Sequence, residues 1–228
     1  FHQYAISRSG GIAGIISLNI FFLIYFLLYS KFLYEYIFIC NLMFLIGFLD
    51  DIKIKVSPSK RLLLMIITLF FSIHFMSIEI SNIDIPFLLN FLQINLFSSI
   101  FVLLCFLFII NGANLIDGFN GLLAIQFLLI NSIFLIINLV NQNQLISIIL
   151  FSQIIIVFSF LLFNFPKAKI FLGDSGSYLL GSLIALNTIK THELNTEISS
   201  FFFAGVLFYL FYEVFFSFIR KITLKISP

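Results

Sequence analysis

Long apolar runs broken by short polar stretches dominate the chain. A membrane-spanning helix needs about 20 mostly apolar residues. Eight segments approach that length, at roughly 12–29, 33–49, 61–79, 96–112, 121–140, 145–164, 176–190 and 198–219. The second and seventh are short. No internal repeat is visible, and no soluble domain interrupts the series. The pattern predicts an all-α, polytopic transmembrane helical bundle of about eight helices, one domain over residues 1–228.

Charge orients the bundle. If successive helices alternate in direction, one side receives Arg8, Lys53, Lys55, Lys60, Arg61, Lys167, Lys169, Arg220, Lys221 and Lys225. The other receives only Lys31 and Lys190. The positive-inside rule assigns the first side to the cytoplasm. One missed helix would scramble this segregation, so it also supports the helix count. Asp50, Asp51, Asp117 and Asp174 fall on the basic side. Glu35, Glu79, Asp84, Glu193 and Glu197 fall on the other, among Asn, Ser and Thr, where simple solvation accounts for them.

Composition agrees. Only 10% of residues are charged, against about 25% in a soluble domain, so the bilayer is the expected solvent. A net charge of +2 leaves no basic surface for nucleic acid. Cys40 and Cys105 sit in apolar runs without ligand spacing and read as packing residues. His74, inside the third segment, reads as a buried, hydrogen-bonded histidine. No signal peptide is visible. The chain begins at Phe1 and stops at Pro228, so the domain is expected to be truncated at both ends.

Four polar constellations lie on the basic side. In Gly47-Phe48-Leu49-Asp50-Asp51, two adjacent carboxylates close an apolar helix. Such a pair repels itself unless a cation is near, and acid at a helix C-terminus opposes the macrodipole. A plain helix stop in water is the alternative. In Asn111-Gly112-Ala113-Asn114-Leu115-Ile116-Asp117, followed by Asn120, polar side chains recur every third residue. On a helix they share one face, suited to a ribose, an acetamido sugar or a base edge; a Gly-rich turn is the alternative.

Phe171-Leu172-Gly173-Asp174-Ser175-Gly176-Ser177 opens a small-residue helix. Asp174 or Ser175 would cap it, leaving an anion site at its free N–H groups or simply a capped start. Asn164, Lys167 and Lys169 lie just upstream. Arg8-Ser9-Gly10-Gly11 offers paired glycines past which backbone could approach a phosphate. A carboxylate cluster suits Mg²⁺ with a diphosphate better than zinc, which prefers His or Cys.

These stretches, in this order and separated by helices, resemble the polyprenyl-phosphate N-acetylhexosamine-1-phosphate transferases, a superfamily that includes the phospho-MurNAc-pentapeptide translocases. Ser57-Pro58 followed by Lys60-Arg61-Leu62 looks more like the GlcNAc-type branch. The resemblance implies transfer of a sugar-1-phosphate from a UDP-N-acetylhexosamine to polyprenyl phosphate, with release of UMP. It implies Asp50, Asp51 and Asp117 as catalytic residues, and Asp174 with Asp51 as holders of Mg²⁺, or Mn²⁺ in its place. Asn111, Asn114, Asn120, Asn164, Phe171, Arg8 and Lys60 would bind substrate, Phe171 by stacking on uracil. A bacterial inner-membrane location with a cytoplasmic active site, and a homodimer, are the corresponding expectations.

The chain departs from the family in having Asn120 where an Asp is usual, and Ala5 and Ser7 where prolines are frequent. The family's first helix and its histidine-containing loop are not seen in the sequence. A transporter or channel, or a non-catalytic relative that keeps the scaffold, are the competing readings.

Overall fold

A computed structural model describes residues 6–52, 54, 56–80 and 82–224. His2, Ala5, Lys53, Lys55 and Lys225 lie outside the described residues. The described residues form ten helices: α1 Gly10–Tyr29, α2 Tyr34–Asp51, α3 Pro58–Met76, α4 Pro86–Leu92, α5 Asn95–Ile116, α6 Leu122–Val140, α7 Gln144–Asn164, α8 Gly173–Leu194, α9 Ser200–Val206 and α10 Phe208–Leu224.

Everything is arranged around α8. Small residues (Gly173, Ser175, Gly176, Ser177, Gly181, Ser182, Ala185) let neighbouring backbones come close, as membrane bundles require. A Cβ on Gly181 would sit 2.7 Å from the Ile110 Cα of α5. Helices α1, α2, α5 and α6 surround α8 and bury it on nearly every side. Peripheral helices instead bury one stripe and expose the rest; α3 buries Met65, Leu69, Ser72 and Ile73. Exposed Leu27, Leu28, Phe75 and Leu162 on the outer helices form the apolar surface that a bilayer would solvate.

Five helices (α1, α3, α5, α6 and α7) are long and apolar enough to cross a membrane, and the α9–α10 pair, bent by 64°, makes a sixth. This is a multi-pass membrane protein. The expected second and seventh spans are α2 and α8, which lack that apolarity because they carry Glu35, Asp50 and Asp51, and Asp174, Lys190, His192 and Glu193. Packing inside the bundle tolerates this. The expected eighth span is broken at Leu207 into α9 and α10. Helix α4 has no counterpart among the expected segments; Pro86 at its first turn presets the helical φ.

Two further expectations need correcting. His74 is exposed on α3, its ring parallel to that of Phe70 at 6.3 Å, rather than buried. Glu35 and Glu193 are not simply solvated: both hold Lys190, at 2.9 and 3.2 Å. Asp84 caps the start of α9 through Ser199 Oγ and the Ser200 N–H.

Candidate active site

Asp50 and Asp51 end α2, where a negative charge is unfavourable to its own helix. The compensation comes from α8. One Asp51 oxygen accepts the Asp174 N–H at 3.1 Å and the other accepts the Ser175 N–H at 3.0 Å. Asp51 therefore caps α8 across space, and its side chain is only 4% exposed. Of the two readings of this helix start, an anion site or a cap by Asp174 or Ser175, the structure shows a cap, supplied by Asp51 instead.

Glycines make the approach possible. A Cβ on Gly47 would lie 2.6 Å from the Ser175 nitrogen. Gly173 adopts φ +79°, and a Cβ there would stand 2.6 Å from an Asp51 oxygen. On the opposite flank, Gly10 and Gly11 donate their N–H groups to the Phe171 and Leu172 carbonyls, each at 2.9 Å. A Cβ on Gly11 would be 2.5 Å from the Gly176 nitrogen. These paired glycines let α1 close on α8. The Phe171 N–H donates to Ser7 and completes this clasp.

Arg61 ties the acids together. Its Nη1 lies 2.6 Å from Asp174 Oδ2 and 3.2 Å from Asp50 Oδ2. Arg61, Met65, Leu69 and Ser72 repeat at helical spacing along the inward stripe of α3, which is why Arg61 points into the bundle. Lys60, expected to bind substrate, is one residue off that stripe and exposed. The sequence does not mark this stripe, because the outward positions Leu62, Leu63, Ile67 and Phe71 are as apolar as the inward ones. Arg8 lies 3.6 Å from Asp51.

Asp117 follows the last turn of α5, partly buried. Burial raises its pKa to about 7, and the charges of Asp174 and Asp51 push in the same direction while Arg8 opposes them. The folded chain therefore retains a proton that an unfolded Asp loses near pH 4. Stability from this group is full below about pH 4 and is lost as pH rises through about 7. Asp117→Asn is expected to flatten the fall in thermal midpoint across that window, by a few degrees, with a chelator present. Parallel pH profiles of variant and wild type would refute the assignment.

The amides divide. Asn114 Oδ1 accepts the Ser177 hydroxyl at 2.7 Å, linking α5 to the first turn of α8 beside the acids. Asn111 turns back to the Leu107 carbonyl at 2.7 Å. Asn120 reaches Pro166 at 3.4 Å. Asn164 is buried and committed on both sides, accepting the Gly121 N–H at 2.5 Å and donating to Ile170 at 2.8 Å. Its amide holds two loops together. Phe171 is partly buried at the start of α8.

The structure thus gathers Asp50, Asp51, Asp117, Asp174, Arg8, Arg61 and Asn114 at one end of the bundle. Among the described residues, no group of three or more His, Cys, Asp or Glu side chains is arranged to hold a metal ion unaided. The donor set nevertheless fits Mg²⁺, which takes one or two carboxylates and completes its shell with phosphates and water. Asp51 fits that role poorly because both of its oxygens already accept N–H groups. Asp174 and Asp117 are the better pair.

Comparison with known proteins agrees with this architecture. The chain is 33% identical over 158 residues to the phospho-N-acetylmuramoyl-pentapeptide-transferase of Listeria innocua, covering 65% of this chain and 48% of that protein. The Streptococcus gordonii protein of the same name is 32% identical over 169 residues, covering 69% and 50%. The undecaprenyl-phosphate alpha-N-acetylglucosaminyl 1-phosphate transferase of Thermotoga maritima is 28% identical over 186 residues, covering 82% and 54%. Both branches are therefore represented, and the chain spans about half the length of these relatives. Residues 33–192, which carry α2 through most of α8 and every acid of the site, match glycosyl transferase family 4, and the chain belongs to that family.

Proposed function

We propose that this chain carries the catalytic core of an enzyme that moves an N-acetylhexosamine-1-phosphate from its UDP-sugar to polyprenyl phosphate. The observation that carries the reading is the convergence of Asp50 and Asp174, from two helix ends, on Arg61, with Asp117 near enough to feel the charges of Asp174 and Asp51. The basic residues gathered at the same end support a cytoplasmic site in a bacterial inner membrane.

In this reaction a lipid phosphate oxygen bonds to the β-phosphorus of the UDP-sugar. The bond between that phosphorus and the bridging oxygen breaks, and UMP leaves. The sugar C1–O bond is untouched, so the anomeric configuration is retained. Two anions must meet, so neutralisation and alignment are most of the task. Asp174 and Asp117 would hold Mg²⁺, or Mn²⁺, which neutralises diphosphate charge when bound. Asp50, 3.2 Å from Arg61, would position the lipid phosphate. Asp51 and the glycine clasp keep Asp174 in place. Asn114 and Asn111 face the nucleotide sugar, with Phe171 against the base. The sugar is an N-acetylated hexosamine or its peptide-bearing derivative, as the names of the two sets of relatives suggest.

A transporter reading would place ionisable groups in mid-bundle. The buried cluster there is Tyr36, Asn131, Gln153 and Asn187, joined by bonds of 2.6–2.9 Å, with no carboxylate or lysine in it. Membranes carrying the protein are expected to release UMP only when the UDP-sugar, polyprenyl phosphate and Mg²⁺ are all supplied. UMP release that ignores the lipid, or none with all three, overturns the proposal.

A further inference from the structure

We propose that Arg61 is an exchangeable internal cation: it holds Asp174 and Asp50 while no divalent ion is bound, and releases Asp174 to take a ligand phosphate when one arrives. The inference rests on the functional reading above and adds to it a competition built into the site.

Charge leads to this conclusion. Asp51 is balanced by two N–H groups of α8 and by Arg8 at 3.6 Å. Asp50 and Asp174 share the single guanidinium of Arg61. Asp117 has no cation bonded to it among the described residues. Among the described residues the site is thus short of positive charge, and Arg61 is spread over two acids. A divalent ion placed on Asp174 and Asp117 reverses the balance. Its charge also competes with the guanidinium that stands 2.6 Å from Asp174 Oδ2, so the hold of Arg61 on Asp174 weakens.

The released arm has somewhere to go. Arg61 Nε is buried with no hydrogen-bond partner, although buried donors are normally paired. Nε and a neighbouring Nη form the flat fork that grips carboxylate or phosphate through two parallel bonds. Here only Nη1 is engaged, and the fork awaits an oxyanion. Arg61 stands in the first turn of the peripheral helix α3, so its long stem can swing without disturbing the core.

The test measures binding of Mn²⁺ alone, as a paramagnetic probe, to detergent-solubilised protein without nucleotide. Removing a competing cation should tighten Mn²⁺ binding, so Arg61→Met is expected to bind about tenfold more tightly than wild type, a usual size for coupling between sites. The same variant should bind UDP in the presence of Mn²⁺ about tenfold more weakly, because the fork is gone. Arg61→Lys, with no fork, should share the loss for UDP while keeping Mn²⁺ binding near wild type. It decides the matter if Arg61→Met is not monodisperse. Unchanged or weaker Mn²⁺ binding in Arg61→Met, or UDP binding unchanged in Arg61→Lys, overturns the exchange. Asp174→Asn separates the two levels: if it leaves wild-type Mn²⁺ binding intact, the metal assignment itself fails.

Discussion

Asp174→Asn is expected to lower UMP release by about 10²–10³-fold, the usual loss when a preorganised electrostatic contact to a reacting centre is removed. Asn keeps the shape of the side chain and one acceptor oxygen but removes the charge. Asp174 is where the charge matters: it opens α8, faces Arg61 at 2.6 Å and has Asp50 and Asp117 as neighbours. The fold should survive, because the N–H of residue 174, which Asp51 needs, is backbone and unaffected. Detergent-solubilised variant is therefore expected to elute as wild type does while its UMP release collapses. Turnover within threefold of wild type at saturating Mg²⁺ would remove Asp174 from the chemistry.

The site is legible in the sequence as far as its chemistry is local. Asp50-Asp51, Asp117 and Asp174 stand out because a carboxylate at the edge of an apolar run is costly to place without purpose. The segregation of basic residues along the chain is enough to put all four on one side. The partners are less visible. Whether Lys60 or Arg61 enters the site depends on a 100° rotation about α3, which only the burial of Met65, Leu69 and Ser72 in the folded bundle resolves. Asn164 resembles a ligand contact because an amide near a site is chemically suitable. Its two hydrogen bonds, to Gly121 and Ile170, are set by loop geometry that no local pattern encodes.

Helix identity follows the same division. The six regions long and apolar enough to span are plain, since continuous apolar length is the signal a bilayer demands. The two that fall short of it, α2 and α8, give only short apolar runs. Their polar positions are permitted by burial against other helices, which is a property of the whole bundle. The glycines show this most clearly. Gly10 and Gly11 suggest a phosphate cradle, yet the backbone they bring close belongs to Phe171, Leu172 and Gly176, far along the chain.

Asp51 gives the second large effect, and it is a loss of stability before it is a loss of activity. Its carboxylate accepts two α8 N–H groups from a nearly dry position and faces Arg8 as well. Hydrogen bonds to a charged group contribute about 1.5–3 kcal/mol each, and a buried donor left unpaired costs a similar amount. Asp51→Ala is therefore expected to destabilise the folded chain by about 3–5 kcal/mol, read as a drop in thermal midpoint of well over 5 °C. Asp51→Asn distinguishes capping from metal binding. One amide oxygen can still accept one N–H, but the NH₂ group then confronts the other donor. It should fall most of the way towards the alanine variant even with metal chelated. A residue whose main task was to hold Mg²⁺ would behave oppositely: Asp51→Asn would be as stable as wild type in chelator and would differ only when Mg²⁺ is added. The two outcomes separate on a single pair of melting curves, with and without the metal.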